Sequence, residues 1–390
     1  MNCKGGWTTN RSGKLELPGS EMSAKKVVYI SDTKLRAEAD RSPQFLGRAT
    51  LVHSLIRAYE LLPLMTVLPS RPASLQEINA FHSLPYIEHL QKINDCTDLE
   101  ELEDESEEFG LGYDCPLLER LYNYVELIAG ASISAAEALV DGSATIAINW
   151  CGGWHHAQRD EAEGFCYVND IVLGIHKLHE AFKRVLYIDL DVHHGDGVEN
   201  AFACSPSVLT LSFHKHEPGF YPGTGGLNDV GFGKGRYYSI NVPLEDGIRD
   251  DLYCYIFDSV VLKVWAAYRP QAVVVQCGAD GLNEDPMGTF NLTPVGLGRC
   301  VKRILSWEVP TLFLGGGGYN LPNVARCWTY LTAVILGRDI PSSIPEHENL
   351  LQYGADFELD IEPGYRRDNN SKKSLEAIIQ TISDHLDHII

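Results

Sequence analysis

A chain of 390 residues with 44% hydrophobic and 22% charged side chains has the composition of a soluble globular enzyme, and nothing in it points to a fibre or to wholesale disorder. A net charge of −21 and a pI near 5.0 argue against a protein that grips duplex nucleic acid, because phosphate contacts need clustered Lys and Arg; a cationic partner or substrate suits the chain better. No apolar leader follows Met1, no apolar run reaches the ~18 residues of a membrane span, and the ten cysteines stand without a close C-x-x-C pair, so the expectation is a reducing compartment with no membrane insertion and no disulfide framework.

Residues 1–25, rich in Gly, Ser, Thr and Lys, read as a flexible arm, and residues 26–390 as one domain without repeat or linker. The first strand-like run is 26–30 (KVVYI). The acidic segment 98–108 (DLEELEDESEE) repels itself and reads as an exposed loop or fraying turn. A helix is expected from Pro116, near its first turn, to Gly142, with Leu121, Val125, Ile128, Ile133 and Ala136 at roughly helical spacing. Strand-like runs then recur at 144–150, 184–194, 207–214, 237–244, 271–280 and 309–319. Continuous Val/Ile/Leu runs alternating with helical segments indicate an α/β fold with a mostly parallel central sheet flanked by helices.

In such a sheet the carboxyl ends of the strands carry the chemistry, and the unusual residues of this chain fall there. One strand runs into CGGWHHA, a second into DVHHGDG, a third into GAD and a fourth into GGGGY. Strand alternation would put Asp189, Asp191 and His193 on one face. Asp191 and His193 can then hold one cation, with Asp280 as the third ligand and a coordination position left open for water and substrate. A hydrogen-bonded core pair is the ordinary alternative for an isolated D-x-H.

His155 and His156 follow two glycines on a tight turn and suit general base and general acid roles, with Asp189 and Asp196 available to fix their tautomers. A surface His-His without a role is the competing reading. Gly315 to Gly318 lack the lysine of a phosphate cradle, and Tyr319 after them can donate its hydroxyl to a carbonyl oxygen as charge develops.

Together NWCGGWHHAQRDEAEGFCYVND, LYIDLDVHHGDGVENAF, PGFYPGTG, GKGRYYSINVPL, QCGADGLNEDPMG and LGGGGYNLPNVARCWTY resemble the class I zinc-dependent histone deacetylases over residues 26–390. Trp154, Met287 and a chain ending soon after the catalytic domain place the likeness in the type-8 branch. The resemblance implies the arginase-deacetylase fold and hydrolysis of acetyl-lysine in histone tails and other proteins. It further implies one divalent ion, zinc or ferrous iron, on Asp191, His193 and Asp280, and a nuclear location extending to the cytoplasm. His156 would be the main proton carrier, His155 paired with Asp189 its electrostatic partner, and Tyr319 the carbonyl donor.

By the same resemblance Gly164 and Phe165 would line one tunnel wall, Tyr221 and Met287 the other, and Asp114 would grip the substrate backbone at the rim. Potassium would bind at Asp189, Asp191, His193, Ser212 and Phe213, and again near Phe202, Ser205, Val208 and Tyr238. Arg48 would stand beside an internal acetate channel. Two features depart from the family pattern: Tyr221, where phenylalanine is usual, and the segment GLNED before Pro286. Rival readings are an arginase-like enzyme, an acetylpolyamine amidohydrolase on the same fold, and a silent scaffold that binds acetylated tails.

Overall fold

Runs of β-branched and aliphatic residues that can expose neither face to water become the strands of one sheet. Eight form: β1 Val27–Ile30, β2 Thr66–Leu68, β3 Ile146–Asn149, β4 Val185–Asp189, β5 Val208–Lys215, β6 Ser239–Leu244, β7 Ala272–Gln276 and β8 Thr311–Leu314. They are ordered β2-β1-β3-β8-β7-β4-β5-β6, and every neighbouring pair is parallel. This computed structural model describes residues 26–389, preceded by a two-residue antiparallel pairing of Thr8–Thr9 with Leu15–Glu16. The flexible arm expected over residues 1–25 otherwise lies outside the described residues.

Alternate residues of each strand feed two cores. In β4, Leu186 and Ile188 enter a core roofed by the helices Arg48–Ala58, Asp250–Tyr268, Pro294–Leu305 and Leu321–Ile335, while Val185 and Tyr187 enter one built with Leu84–Asp95, Leu121–Val140 and Asp170–Leu178. Ile188 is fully buried. Its replacement by alanine is expected to destabilise the fold by about 2–5 kcal/mol, read as a lower urea midpoint; a change under about 1 kcal/mol would mean that the sheet face repacks around the gap.

The register across the middle of the sheet positions the site. Asn149, Leu314, Gln276 and Asp189, the last residues of β3, β8, β7 and β4, lie side by side in one row. The four loops that follow them therefore emerge together.

Several boundaries differ from expectation. The helix expected from Pro116 begins at Leu121, because Arg120 sits in the left-handed region at φ 52 and interrupts the helical path; its other end is as expected, with Gly142 at φ +74 just beyond Val140. Of the two readings of the acidic segment, exposed loop or fraying turn, the structure has turns. The segment folds into the short turns Leu99–Leu102, Glu103–Ser106 and Glu107–Phe109, pinned by the buried Leu102 and Ser106 while the carboxylates face water. The edge strand β2 was not anticipated, being three residues long and partly exposed. The nine described cysteines are all free, and no described helix is long and apolar enough to cross a membrane.

Candidate active site

β4 ends at Asp189, so Asp191 and His193 belong to the loop beyond it. Strand alternation is therefore not what gathers them. Instead each carboxylate caps the backbone two residues on: Asp189 Oδ1 accepts from the Asp191 N–H at 3.1 Å, and Asp191 Oδ1 from the His193 N–H at 3.1 Å. Asp280, in the loop after β7, joins them with Oδ1 on the Val192 N–H at 3.0 Å and Oδ2 3.0 Å from His193 Nδ1. One ligand atom from each of Asp191, His193 and Asp280 lies within 4.8 Å of the others, and all three residues are buried.

Two buried carboxylates facing each other need a positive charge. Among the described residues their ion-pair partners are histidines alone, His155 and His193 for Asp191 and His193 for Asp280. Burial and the neighbouring Asp191 push the Asp280 carboxyl up, the response of an acid held where a cation belongs. The donor set of two carboxylate oxygens and one imidazole nitrogen fits a divalent ion of the zinc or ferrous type.

The loop after β3 carries two imidazoles, each held by a carboxylate. His155 Nδ1 lies 2.7 Å from Asp189 Oδ2, which also accepts the Tyr187 hydroxyl at 2.6 Å. His156 Nδ1 lies 2.7 Å from Asp196 Oδ1, at the start of the helix Asp196–Phe202. The ring centroids are 4.0 Å apart. Burial alone would lower His155, yet the charges of Asp189 and Asp191 hold it up to about 9, so it stays protonated at neutral pH. Burial, then the charge of His155, lowers His156 to about 4, leaving a neutral imidazole able to take a proton.

The glycine run after β8 lies flat against the carboxylates: the Gly317 N–H donates to Asp191 Oδ2 at 2.9 Å, and a Cβ at Gly317 would stand 2.3 Å from Asp280 Oδ2. Tyr319 follows, its N–H on Asp285 Oδ2 at 2.7 Å and its ring 5.5 Å from Phe45 and 5.8 Å from Phe165. Burial, then the charge of Asp280, raises its phenol well above the ordinary value, so it remains a hydrogen-bond donor.

Gly164 and Phe165 form a tight turn, with φ of +55° and +66° and with Glu163 and Cys166 exchanging backbone hydrogen bonds at 3.1 and 2.8 Å. A left-handed phenylalanine costs roughly 1–2 kcal/mol; Asp114 offsets part of this by accepting the Gly164 N–H at 2.8 Å. Tyr221 meets His156 edge-on at 4.9 Å, and Phe220 stacks on His193 at 5.3 Å. Met287 is 44% exposed, its N–H on Asp285 Oδ1 at 2.9 Å. Arg48 donates to the Gly318 carbonyl at 3.0 Å with its guanidinium over Phe45. Ser212 pairs in register with Asp189, and the Tyr238 carbonyl accepts from the Thr210 N–H at 2.9 Å.

Sequence reasoning missed several supporting groups. Gln276 donates to Asp191 Oδ2 at 2.7 Å and to the Gly153 carbonyl at 3.3 Å; its signal was a lone amide inside a valine run. Asp170 accepts the Gly153 and Trp154 N–H groups at 3.0 and 2.9 Å and so shapes the histidine turn. Asp285, inside the GLNED segment, anchors Tyr319.

A buried carboxylate–imidazole cluster with two His–Asp pairs, set at the carboxyl edge of a parallel sheet, is the site of a metal-dependent hydrolase. A family model described as histone deacetylase domain matches residues 42–335. The chain is 50% identical over 379 residues to Histone deacetylase 8 of Danio rerio, spanning 97% of this chain and 100% of that protein. It is 53% identical to Histone deacetylase 8 of Xenopus tropicalis over 88% of this chain and 92% of the relative, and 44% identical to Histone deacetylase 1 of Homo sapiens over 87% and 70%. The chain belongs to the histone deacetylase family, in class I, and is more similar to these type-8 members than to the type-1 enzyme. It is a metal-dependent lysine deacetylase on the arginase-deacetylase α/β fold. The arginase-like, polyamine and scaffold readings are not favoured.

Proposed function

We propose that the divalent ion is zinc or ferrous iron, that Asp191, His193 and Asp280 hold it, and that the substrates are acetyl-lysines of histone tails and other acetylated proteins, in the nucleus and also the cytoplasm. The observation that carries the site assignment is the convergence of that ligand trio with the His155–Asp189 and His156–Asp196 pairs. When bound, the ion supplies Lewis acidity toward the amide carbonyl and toward water. His156, neutral and held by Asp196, takes the proton from the attacking water and returns it to the departing lysine amine. Tyr319 donates its hydroxyl to the carbonyl oxygen as negative charge grows there. His155, kept protonated by Asp189, adds positive charge without moving a proton.

Residues 26–390 act as one catalytic domain. Gly164, Phe165, Tyr221 and Met287 guide the lysine stem, Asp114 holds the substrate backbone at the rim, and Arg48 serves an internal acetate route. Potassium occupies two sites, one at Asp189, Asp191, His193, Ser212 and Phe213 and one near Phe202, Ser205, Val208 and Tyr238. Its role is structural. No direct nucleic-acid contact is part of this reading.

The test is hydrolysis of an acetyl-lysine peptide by the purified chain, zinc-loaded and chelated, beside Tyr319→Phe. Chelation is expected to abolish turnover and zinc to restore it, and the variant to lose about 10²- to 10³-fold in kcat with its metal content intact. Turnover that persists in chelator, or a variant within a few-fold of the native chain, overturns the assignment.

A further inference from the structure

The glycines before Tyr319 give its ring nothing to lean on. Gly315 to Gly318 bring no side chains, and Gly316 and Gly318 hold φ at +147° and +133°, backbone that glycine enters far more readily than other residues. The Tyr319 N–H is tied to Asp285, but that bond fixes the main chain and leaves the side-chain torsions to packing. The ring is therefore placed by what it stacks on.

Phe45 supplies that surface. Its ring lies 5.5 Å from the Tyr319 ring with 30° between their planes, and it also packs 5.0 Å from Trp154 and 6.2 Å from Phe165. Phe165 in turn meets Tyr319 edge-on at 5.8 Å, so the three rings touch pairwise. The Arg48 guanidinium sits 4.1 Å from the centre of the Phe45 ring and donates to the Gly318 carbonyl at 3.0 Å. Phe45 and Arg48 thus grip the same stretch twice, by the ring of residue 319 and by the backbone of residue 318.

Phe45 is itself held firmly. It is 2% exposed and closes the short turn Pro43–Phe45, where its N–H donates to the Ser42 carbonyl at 3.0 Å. Its neighbour Gln44 accepts the Ser42 hydroxyl at 3.1 Å and donates to the Asp114 carbonyl at 3.4 Å, which ties the turn to the rim. The chemistry above gives this turn no task.

We infer that Phe45 is a positioning residue for the carbonyl donor: stacked on Tyr319 and backed by Arg48, it fixes the ring after a glycine run that cannot, and so holds the hydroxyl where charge grows on the substrate oxygen. This rests on the reading of Tyr319 as that donor, while the stack is a property of the fold. A donor placed before substrate arrives needs no rearrangement during reaction, so the loss of the stack falls on kcat and not on KM.

The experiment is a double-mutant cycle with Phe45→Leu, Tyr319→Phe and the double variant, reading kcat per bound zinc and KM on an acetyl-lysine peptide, with thermal midpoints alongside. Leucine keeps the site apolar and removes the flat face. Phe45→Leu is expected to lower kcat about tenfold or more with KM nearly unchanged. In the Tyr319→Phe background the same substitution should change kcat by less than about twofold, because the hydroxyl it positions is already gone. A purely structural role would cost the same factor in both backgrounds, and that result overturns the inference. So does a native kcat in Phe45→Leu, or a loss carried by KM. If the leucine variant does not fold, Phe45→Met takes its place under the same criteria. If the native chain turns over no acetyl-lysine peptide, the deacetylase reading fails on its own. Thermal midpoints of Phe45→Leu, Tyr319→Leu and their double variant then decide the stack: non-additive shifts support it and additive ones overturn it.

Discussion

Replacing His156 by alanine is expected to lower kcat by about 10²- to 10⁴-fold without loss of bound metal. The reason lies in how differently two adjacent imidazoles are held. His156 has one ring nitrogen committed to Asp196 and a pKa lowered to about 4, so its other nitrogen is unprotonated throughout the neutral range and open to a proton from the attacking water. His155 cannot replace it: Asp189 occupies its Nδ1, its Nε2 is directed toward Asp191 at 3.8 Å, and the surrounding carboxylates keep it protonated up to about 9. Asp196→Asn should cost less, about 10- to 100-fold, because it removes the orienting charge and spares the base. Single-turnover kinetics with metal content measured on the same samples checks both. A His156→Ala enzyme within tenfold of the native rate would move the proton-transfer role elsewhere.

Changing Asp280 to asparagine is expected to abolish metal binding and, with it, detectable turnover, while leaving the metal-free protein at least as stable as the native one. The two signs have one cause. Asp280 is fully buried and faces Asp191, and a cation held by the trio would answer its charge, which an asparagine amide lacks. The amide oxygen can still accept the Val192 N–H, so the loop keeps its shape. Saturating the native chain with metal a thousandfold above Kd should add about 4 kcal/mol of stability, and the variant should gain none. Melting curves with and without zinc, together with metal analysis, decide it. A variant still stabilised by zinc would show that Asp191 and His193 suffice.

Strand existence was legible because buried parallel strands must be apolar on both faces, and 185–189, 272–276 and 311–314 are nearly unbroken aliphatic runs. Loop geometry was less legible. Asp189, Asp191 and His193 were correctly grouped for the wrong reason, since the periodicity of a strand and that of successive capping turns both repeat every two residues. Arg120 carried no mark of the left-handed backbone that delays its helix, because φ > 0 is announced by glycine or asparagine and not by arginine. Asp285 lay in the GLNED segment, which read only as a departure from the family pattern. Its partner, the Tyr319 N–H, lies far along the chain, and only the folded arrangement brings the two together. The cluster of Asp191, His193 and Asp280 and the paired histidines were the readable part, since strand ends concentrate such residues and apolar runs set them off.

The order of the strands also governs when the enzyme can come into being. β8 is the last strand to be synthesised, yet it lies between β3 and β7 near the middle of the sheet. Until residues 311–314 leave the ribosome, β1–β3 and β4–β7 have no shared edge, and the histidine turn after β3 has no fixed distance from the carboxylates after β4 and β7. A chain arrested before that point can hold Asp191, His193 and Asp280 together but cannot bring His156 to them. Catalytic competence thus waits for β8, the strand that closes the sheet between β3 and β7.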